Sequence, residues 1–218
     1  MKTIYQIILF FLALSISCPL VGQKSQYVWA FGDSAGINFN NLTNPQPIAS
    51  NLDSRGSCVS ISDTNGILLF YSGISINTIG FSASIYNGNN QLVANGDSIV
   101  GEGWYNELLI LPMPNFYKKF YVFSIDVSSY YGFYYSIVDM NLNGGLGEVT
   151  IKNQTLHNIQ MADCLGAIKH ANGRDWWLLM RTAANNFDDK YYRYLVSPNG
   201  IDSMPAQQIG TGSQTGFV

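Results

Sequence analysis

The sequence predicts an all-β protein of β-propeller type, with about three four-stranded blades plus the start of a fourth in an incomplete ring. Three observations predict it. After residue 23, runs rich in Val, Ile, Tyr, Phe and Trp recur between turn residues, and no window shows a sustained apolar i, i+3, i+4, i+7 pattern. Asn-Gly pairs stand at 65–66, 87–88, 95–96, 143–144, 172–173 and 199–200. Asn-Gly is the strongest short-range hairpin signal, because both central residues of a type I′ turn take positive φ. The strand-like runs also come in triplets whose first members begin at residues 58, 107 and 164, 49 and 57 residues apart. A repeat of about 40 to 50 residues with four strands marks a propeller blade.

The first triplet is 58–63, an Asn-Gly turn, 67–71 and then 84–86. The second is 107–111, a Pro-Asn turn, 120–124 and 134–138. The third is 164–169, an Asn-Gly turn, 176–180 and 192–196. Short extended stretches between sets, such as 148–151, serve as fourth strands. A single twisted sheet of this size cannot bury both faces alone, so aromatic residues at matching places in the second and third strands are expected to pack sheet on sheet. A β-sandwich also has short strands and turn signals, but it does not need the triplet repeat. Residues 212–218 read as the start of one more first strand, so the ring is expected to be open and to expose an apolar sheet face that another copy would cover.

Composition narrows the function classes. Of 218 residues 47% are hydrophobic and only 11% charged, with a net charge of -3 and four arginines among 11 basic residues. No basic stripe for nucleic acid can be assembled from that set. Residues 1–23 read as a secretory signal peptide: Lys2, an apolar run over 7–16, then small and polar residues to Gln23. The run is shorter than the roughly 20 residues a spanning helix needs. An uncleaved anchor and lipidation at Cys18 are weaker alternatives. Residues 24–218 are therefore expected to form the partial propeller domain, exported to the extracellular space or outer cell surface, with no membrane span after cleavage. Cys58 and Cys164, at the start of equivalent strands in non-neighbouring sheets, are expected to be buried free thiols, since a disulfide needs Cα atoms within about 7 Å.

Motifs for chemistry are sparse. His157 and His170 have no second ligand at metal spacing. Asp63-Thr64-Asn65-Gly66 lacks the later acidic ligands of a calcium loop and reads as a β-turn. Glycoside hydrolysis needs two carboxylates facing across a pocket, and Glu107, Asp126, Asp163 and Asp175 are the candidates near strand ends. Three or more acids meeting in one pocket would favour that chemistry. Arg55, Arg174, Arg181 and Arg193 are too scattered to form a sialidase-type cluster, and no Gly-x-Ser-x-Gly elbow is present. No catalytic residue, cofactor or metal is assigned. Two stretches, 101–105 and 128–132, carry aromatics in turns rather than strands, which marks Trp104, Tyr105, Tyr130 and Tyr131 as a possible contact surface. The expected role is a non-catalytic module contacting cell-surface proteins or glycans. A propeller-type glycoside hydrolase and a remnant with no function of its own are the alternatives.

The longer motifs add a resemblance. Val28-Trp29-Ala30-Phe31-Gly32-Asp33-Ser34-Ala35-Gly36-Ile37-Asn38-Phe39, Ser60-Ile61-Ser62-Asp63-Thr64-Asn65-Gly66-Ile67-Leu68-Leu69-Phe70-Tyr71 and Tyr135-Ser136-Ile137-Val138-Asp139-Met140-Asn141-Leu142-Asn143-Gly144-Gly145-Leu146-Gly147 resemble the N-terminal WD40- or YVTN-like propeller region of large secreted, gliding-motility-associated proteins that use the type IX secretion route. Residues 86–92 and 167–177 extend the likeness over nearly all of the mature chain. The resemblance implies a propeller and export, and no biochemical role.

Overall fold

The computed structural model describes residues 24–75, 82–127, 131–182 and 190–209. The signal-like residues 1–23, the 212–218 stretch and Tyr130 lie outside them. The described chain is all-β: four small, open antiparallel sheets, each laid down as a meander. The first sheet contains β1 (Val28–Phe31), β2 (Ala35–Asn38) and β3 (Gln46–Ala49). The second contains β4 (Ser54–Ser62), β5 (Leu68–Ser75) and β6 (Ala83–Asn87). The third contains β7 (Leu108–Pro112), β8 (Lys119–Asp126), β9 (Gly132–Asp139) and β10 (Glu148–His157). The fourth contains β11 (Gly166–Lys169), β12 (Trp176–Arg181), β13 (Lys190–Ser197) and β14 (Gly200–Ser203), with β15 (Gln207–Gln208) also on β13.

All three triplets read from the sequence are sheets, each from its first strand onward. The difference lies before them: a further sheet occupies 28–49, ahead of the first triplet. Its strands have four residues each, and β2 (Ala-Gly-Ile-Asn) and β3 (Gln-Pro-Ile-Ala) contain residues depleted in strands, so little β signal shows. Pro47 is tolerated because β3 is an edge strand. The Asn-Gly signal was also less uniform than expected. Pairs 65–66, 172–173 and 199–200 sit at tight hairpins, whereas 143–144 falls in a 3₁₀ turn between β9 and β10. Pairs 87–88 and 95–96 flank an irregular stretch that bridges back to β6 at Leu92–Tyr86 and Ile99–Ala83, in place of a regular fourth strand.

Burial follows the period-2 alternation of strands. On β8, Phe120 and Val122 pack toward the second sheet with Phe70, Ile85 and Ile99, while Phe123 and Ile125 pack toward the fourth with Leu178, Met180 and Tyr194. A third cluster, Ala30, Leu52 and Tyr71, joins the first sheet to the second. The sheets thus stack in chain order, each neighbouring pair over its own core. A two-sheet sandwich has one shared core and does not describe this arrangement. The first strands of the first three sheets lie together, with β4 against both β1 and β7. Trp29 and Phe31 are partly exposed beside a cavity they share with Val59 of β4 and Leu109 of β7, and the outward face of the fourth sheet keeps Ile168, Leu179 and Tyr191 exposed to solvent.

Cys58 and Cys164 are both free, but they are not buried: Cys58 is half-buried on β4, and Cys164 is exposed in the connection ahead of β11. No helix among the described residues is long and apolar enough to cross a membrane.

Candidate functional site

Strand direction divides the functional features between two ends of the stack. The hairpin turns between the first two strands of the second, third and fourth sheets (63–67, 113–118 and 170–175) share one end. The connections 101–107 and 158–165, which precede β7 and β11, lie at the other, with Val127 and Tyr131 at the facing ends of β8 and β9.

At the hairpin end is a groove of about 560 Å³. Its floor is apolar, from Ile61 and Leu69 of the second sheet, Leu109 and Leu111 of β7, and Phe120. Its rim is built by the first two of these hairpins and by Lys169 and Trp176, the strand residues that flank the third. Asp63 Oδ1 accepts the backbone N–H groups of Asn65 (2.8 Å) and Ile67 (2.9 Å), and Asn40 Nδ2 donates to the Gly66 carbonyl at 2.7 Å, tying the turn to the first sheet. Short acceptors that mimic a backbone turn are why Asp and Asn recur at such positions. The middle hairpin takes Asn115 and Lys118 through positive φ (66° and 52°), and places the Lys118 ammonium 5.5 Å from the centre of the Tyr117 ring. In the third hairpin, Asp175 accepts from Arg174 Nε (2.7 Å) and Nη2 (3.0 Å) and from Asn172 Nδ2 (2.7 Å). The Arg174 contact holds the Asp175 carboxyl down at about 2.

Lys169 lies 3.9 Å above the Trp176 ring, within cation–π range. Burial lowers the Lys169 pKa from its ordinary value. The indole N–H of Trp176 is buried and has no acceptor among the described residues. The rim therefore combines two lysines with two aromatic rings over an apolar floor; Lys118 has no ion pair among the described residues, and Asp175 is the charged neighbour of Lys169.

At the opposite end, Trp104 (40% exposed), Tyr105 (78%) and Tyr131 (47%) are turned to solvent, as the sequence suggests for aromatics in turns. The 101–107 loop is anchored by acids. Glu107 is fully buried, and its Oε2 accepts the N–H groups of Glu102 (3.0 Å) and Gly103 (3.1 Å). Asp163 accepts the N–H of Tyr105, and Asn106 exchanges hydrogen bonds with the backbone of Leu165. Burial pushes the Glu107 carboxyl up to about 7 against the pull of those N–H groups, and the nearby Asp163 raises it further. Burial, reinforced by Glu102, pushes Asp163 up to about 6.

Of the four acids singled out in the sequence, the fold brings together Glu107 and Asp163, adds Glu102, and separates the other two. Asp126 ends β8 on the face opposite Glu107, by alternation from Ile125, and Asp175 is at the far end of the stack. Arg174 is in a hairpin, while Arg181 and Arg193 are on β12 and β13. His157 packs edge-on against Tyr192 at 4.7 Å, and His170 Nδ1 accepts the N–H of Asn172.

The anchoring leaves no room at the neighbouring strand. A Cβ on Gly56 would sit 2.3 and 2.4 Å from the carbonyl oxygens of Gly103 and Trp104. Gly56→Ala is expected to displace this loop and destabilise the chain by about 1–3 kcal/mol. Urea unfolding measures the loss.

The sequence missed the groove. Tyr117 and Lys118 lie on one hairpin and Lys169 and Trp176 on another, up to 59 residues away in sequence (176 − 117), and only stacking brings them to one rim. The available signal was the repeat itself, which puts equivalent hairpins at one end. Comparison with known protein families, characterised proteins and solved structures finds no match for the chain.

Proposed function

We propose that this chain is a non-catalytic interaction module of propeller type, exported to the cell surface or beyond, which contacts surface proteins or glycans through the hairpin-end groove. The observation that carries this reading is the groove: an apolar floor between two lysines and two aromatic rings, assembled at the hairpin ends of three successive sheets. A concave site with a few polar groups at its rim is the usual form of a ligand pocket. The chain-order stacking of the sheets and the adjacency of the first strands of the first three support a radial, propeller-like arrangement. The signal-like residues 1–23 and the resemblance to secreted gliding-motility-associated proteins support export. Trp104, Tyr105 and Tyr131 form a secondary contact surface at the opposite end.

The test is an array of oligosaccharides and peptides probed with the purified chain. Binding that falls tenfold or more in a Lys169→Gln, Trp176→Phe variant, and by less than twofold in Tyr105→Ala, locates recognition in the groove. Binding indifferent to changes at both ends, or none on either class, rejects the reading.

A second reading rests on the gathered acids. Glu107 near 7 and Asp163 near 6 have the raised pKa values of a general acid in glycoside hydrolysis. The full burial of Glu107, with one oxygen given to loop N–H groups, supports an anchoring role instead. Cleavage of any of a panel of glycosides, abolished in Glu107→Gln, would install the hydrolase.

A further inference from the structure

The walls of the groove are strand edges. β4, β7 and β11 are each the outermost strand of their sheet, and residues of all three line it. On β7, Ile125 donates to the Glu107 carbonyl and Met113 to the Lys119 carbonyl. Antiparallel alternation then makes 107, 109, 111 and 113 the residues that exchange bonds with β8, and turns the peptide groups of 108, 110 and 112 to the free edge. The Leu108 N–H is used by Ser57 Oγ, and Pro112 has no N–H. Ile110 is left as the residue whose N–H and C=O both face outward at the groove.

We propose that the groove binds an extended peptide segment of a partner protein, added as a strand on the β7 edge at Ile110, with apolar side chains on both faces and an acidic side chain at the hairpin end. This rests on the interaction-module reading and gives its site an occupant. The backbone edge favours a peptide: a hydrocarbon chain would cover the open N–H and C=O without pairing them, which is costly, and sugar hydroxyls can pair with them but do not repeat at the strand spacing that carries the pairing along the edge. The flanks select apolar residues, since β7 side chains alternate between Ile110 on the second-sheet side and Leu109 and Leu111 on the fourth-sheet side. Pro112 ends the pairing, so the added strand is short. Charge selects the acid. The Asp63 carboxylate is taken up by its own turn and Lys119 by Asp139 at 2.9 Å; Asp175, held by Arg174 and Asn172, is also the charged neighbour of Lys169, so Lys118 is the rim cation with no ion pair among the described residues and Lys169 stands beside it.

The experiment is selection of a phage-displayed random dodecapeptide library on the full chain, followed by synthesis of the enriched sequences. Expected are alternating apolar residues followed by Asp or Glu, and slowing of Ile110 amide exchange by tenfold or more on binding. Methylating alternate peptide nitrogens is expected to weaken binding at least tenfold. Lys118→Gln with Lys169→Gln is expected to weaken it at least fivefold with an unchanged circular dichroism spectrum. No enrichment, a basic consensus, or affinity insensitive to N-methylation overturns strand addition. Oligosaccharide binding lost in the groove variants, with no peptide selected, overturns it while the interaction-module reading stands. Silence on both classes removes both.

Discussion

Phe70→Ala is expected to destabilise the chain by about 3–5 kcal/mol, the usual range for emptying a buried aromatic position. Phe70 is fully buried on β5, paired in register with Ile61 and Asn87. Its ring meets Phe120 of the third sheet edge-on, with centroids 5.2 Å apart and planes at 71°. It therefore holds two sheets together, not two strands of one sheet. Alanine would remove the aromatic contact and leave a cavity that strands on both sides cannot close without breaking their own ladders. A domain of this size has about 5–15 kcal/mol in all, so the loss is a large share of it. Phe116, an exposed residue of the 113–118 hairpin, is the control: its replacement by alanine should change stability by about 0.5 kcal/mol or less. Urea midpoints for the two variants measure the contrast. Equal, small losses would mean that the second and third sheets do not share the core they form here.

That interface also shows why much of the fold was legible. β5 and β8 carry contiguous apolar and aromatic residues, because sheets inside a stack are covered on both faces and need no polar alternation; β12, on the end sheet, carries the same run with Leu179 left exposed on its outward face. Turn residues bracket these runs, so both their place and their repeat show in the linear order. The first sheet escaped notice for the opposite reason. It packs on one neighbour through little more than Ala30, Leu52 and Tyr71, and its strands need only four residues each. Its hairpin between β1 and β2 takes Asp33 and Ser34 through positive φ (58° and 57°), with neither glycine nor asparagine at those two positions to announce it.

The site was legible only in part. Trp104, Tyr105 and Tyr131 could be read as exposed because an aromatic in a turn has no sheet face to enter. Lys169 and Trp176 could not be read as a rim, because each has an ordinary local role at a strand end. Their meaning depends on Tyr117 and Lys118 arriving from the preceding sheet, and that is a property of stacking, not of local sequence. The acids show the same limit. Glu107 and Asp163 look like any residues ahead of a first strand, and only the equivalence of those two connections brings them near each other.

That pairing carries the second large expectation, a loss of stability as pH rises from about 5 to 8. The folded chain binds the Glu107 proton with a pKa of about 7, against an ordinary value of 4.5. Between those values the folded state holds more protons than the unfolded state, so stability falls with rising pH and the loss is complete only above about 7. A shift of that size is worth about 3 kcal/mol at 1.36 kcal/mol per unit. Asp163, raised from 3.8 to about 6, acts in the same direction at the lower end of the window. Glu107→Gln keeps an oxygen for the N–H groups of Glu102 and Gly103 but has no charge to bury. It should match the natural chain near pH 5, exceed it near pH 8, and retain only the part of the slope that Asp163 contributes below about pH 6. Glu107→Ala removes the acceptor as well, and stranding those N–H groups should cost about 1–3 kcal/mol at either pH. Urea midpoints of the three chains at pH 5, 6, 7 and 8 separate the contributions. If Glu107→Gln follows the pH dependence of the natural chain, the proton is held elsewhere. If it loses the fall in stability above about pH 6 that the natural chain keeps, the Glu107 carboxyl couples the anchoring of the Trp104–Tyr105 loop to the acidity of the medium.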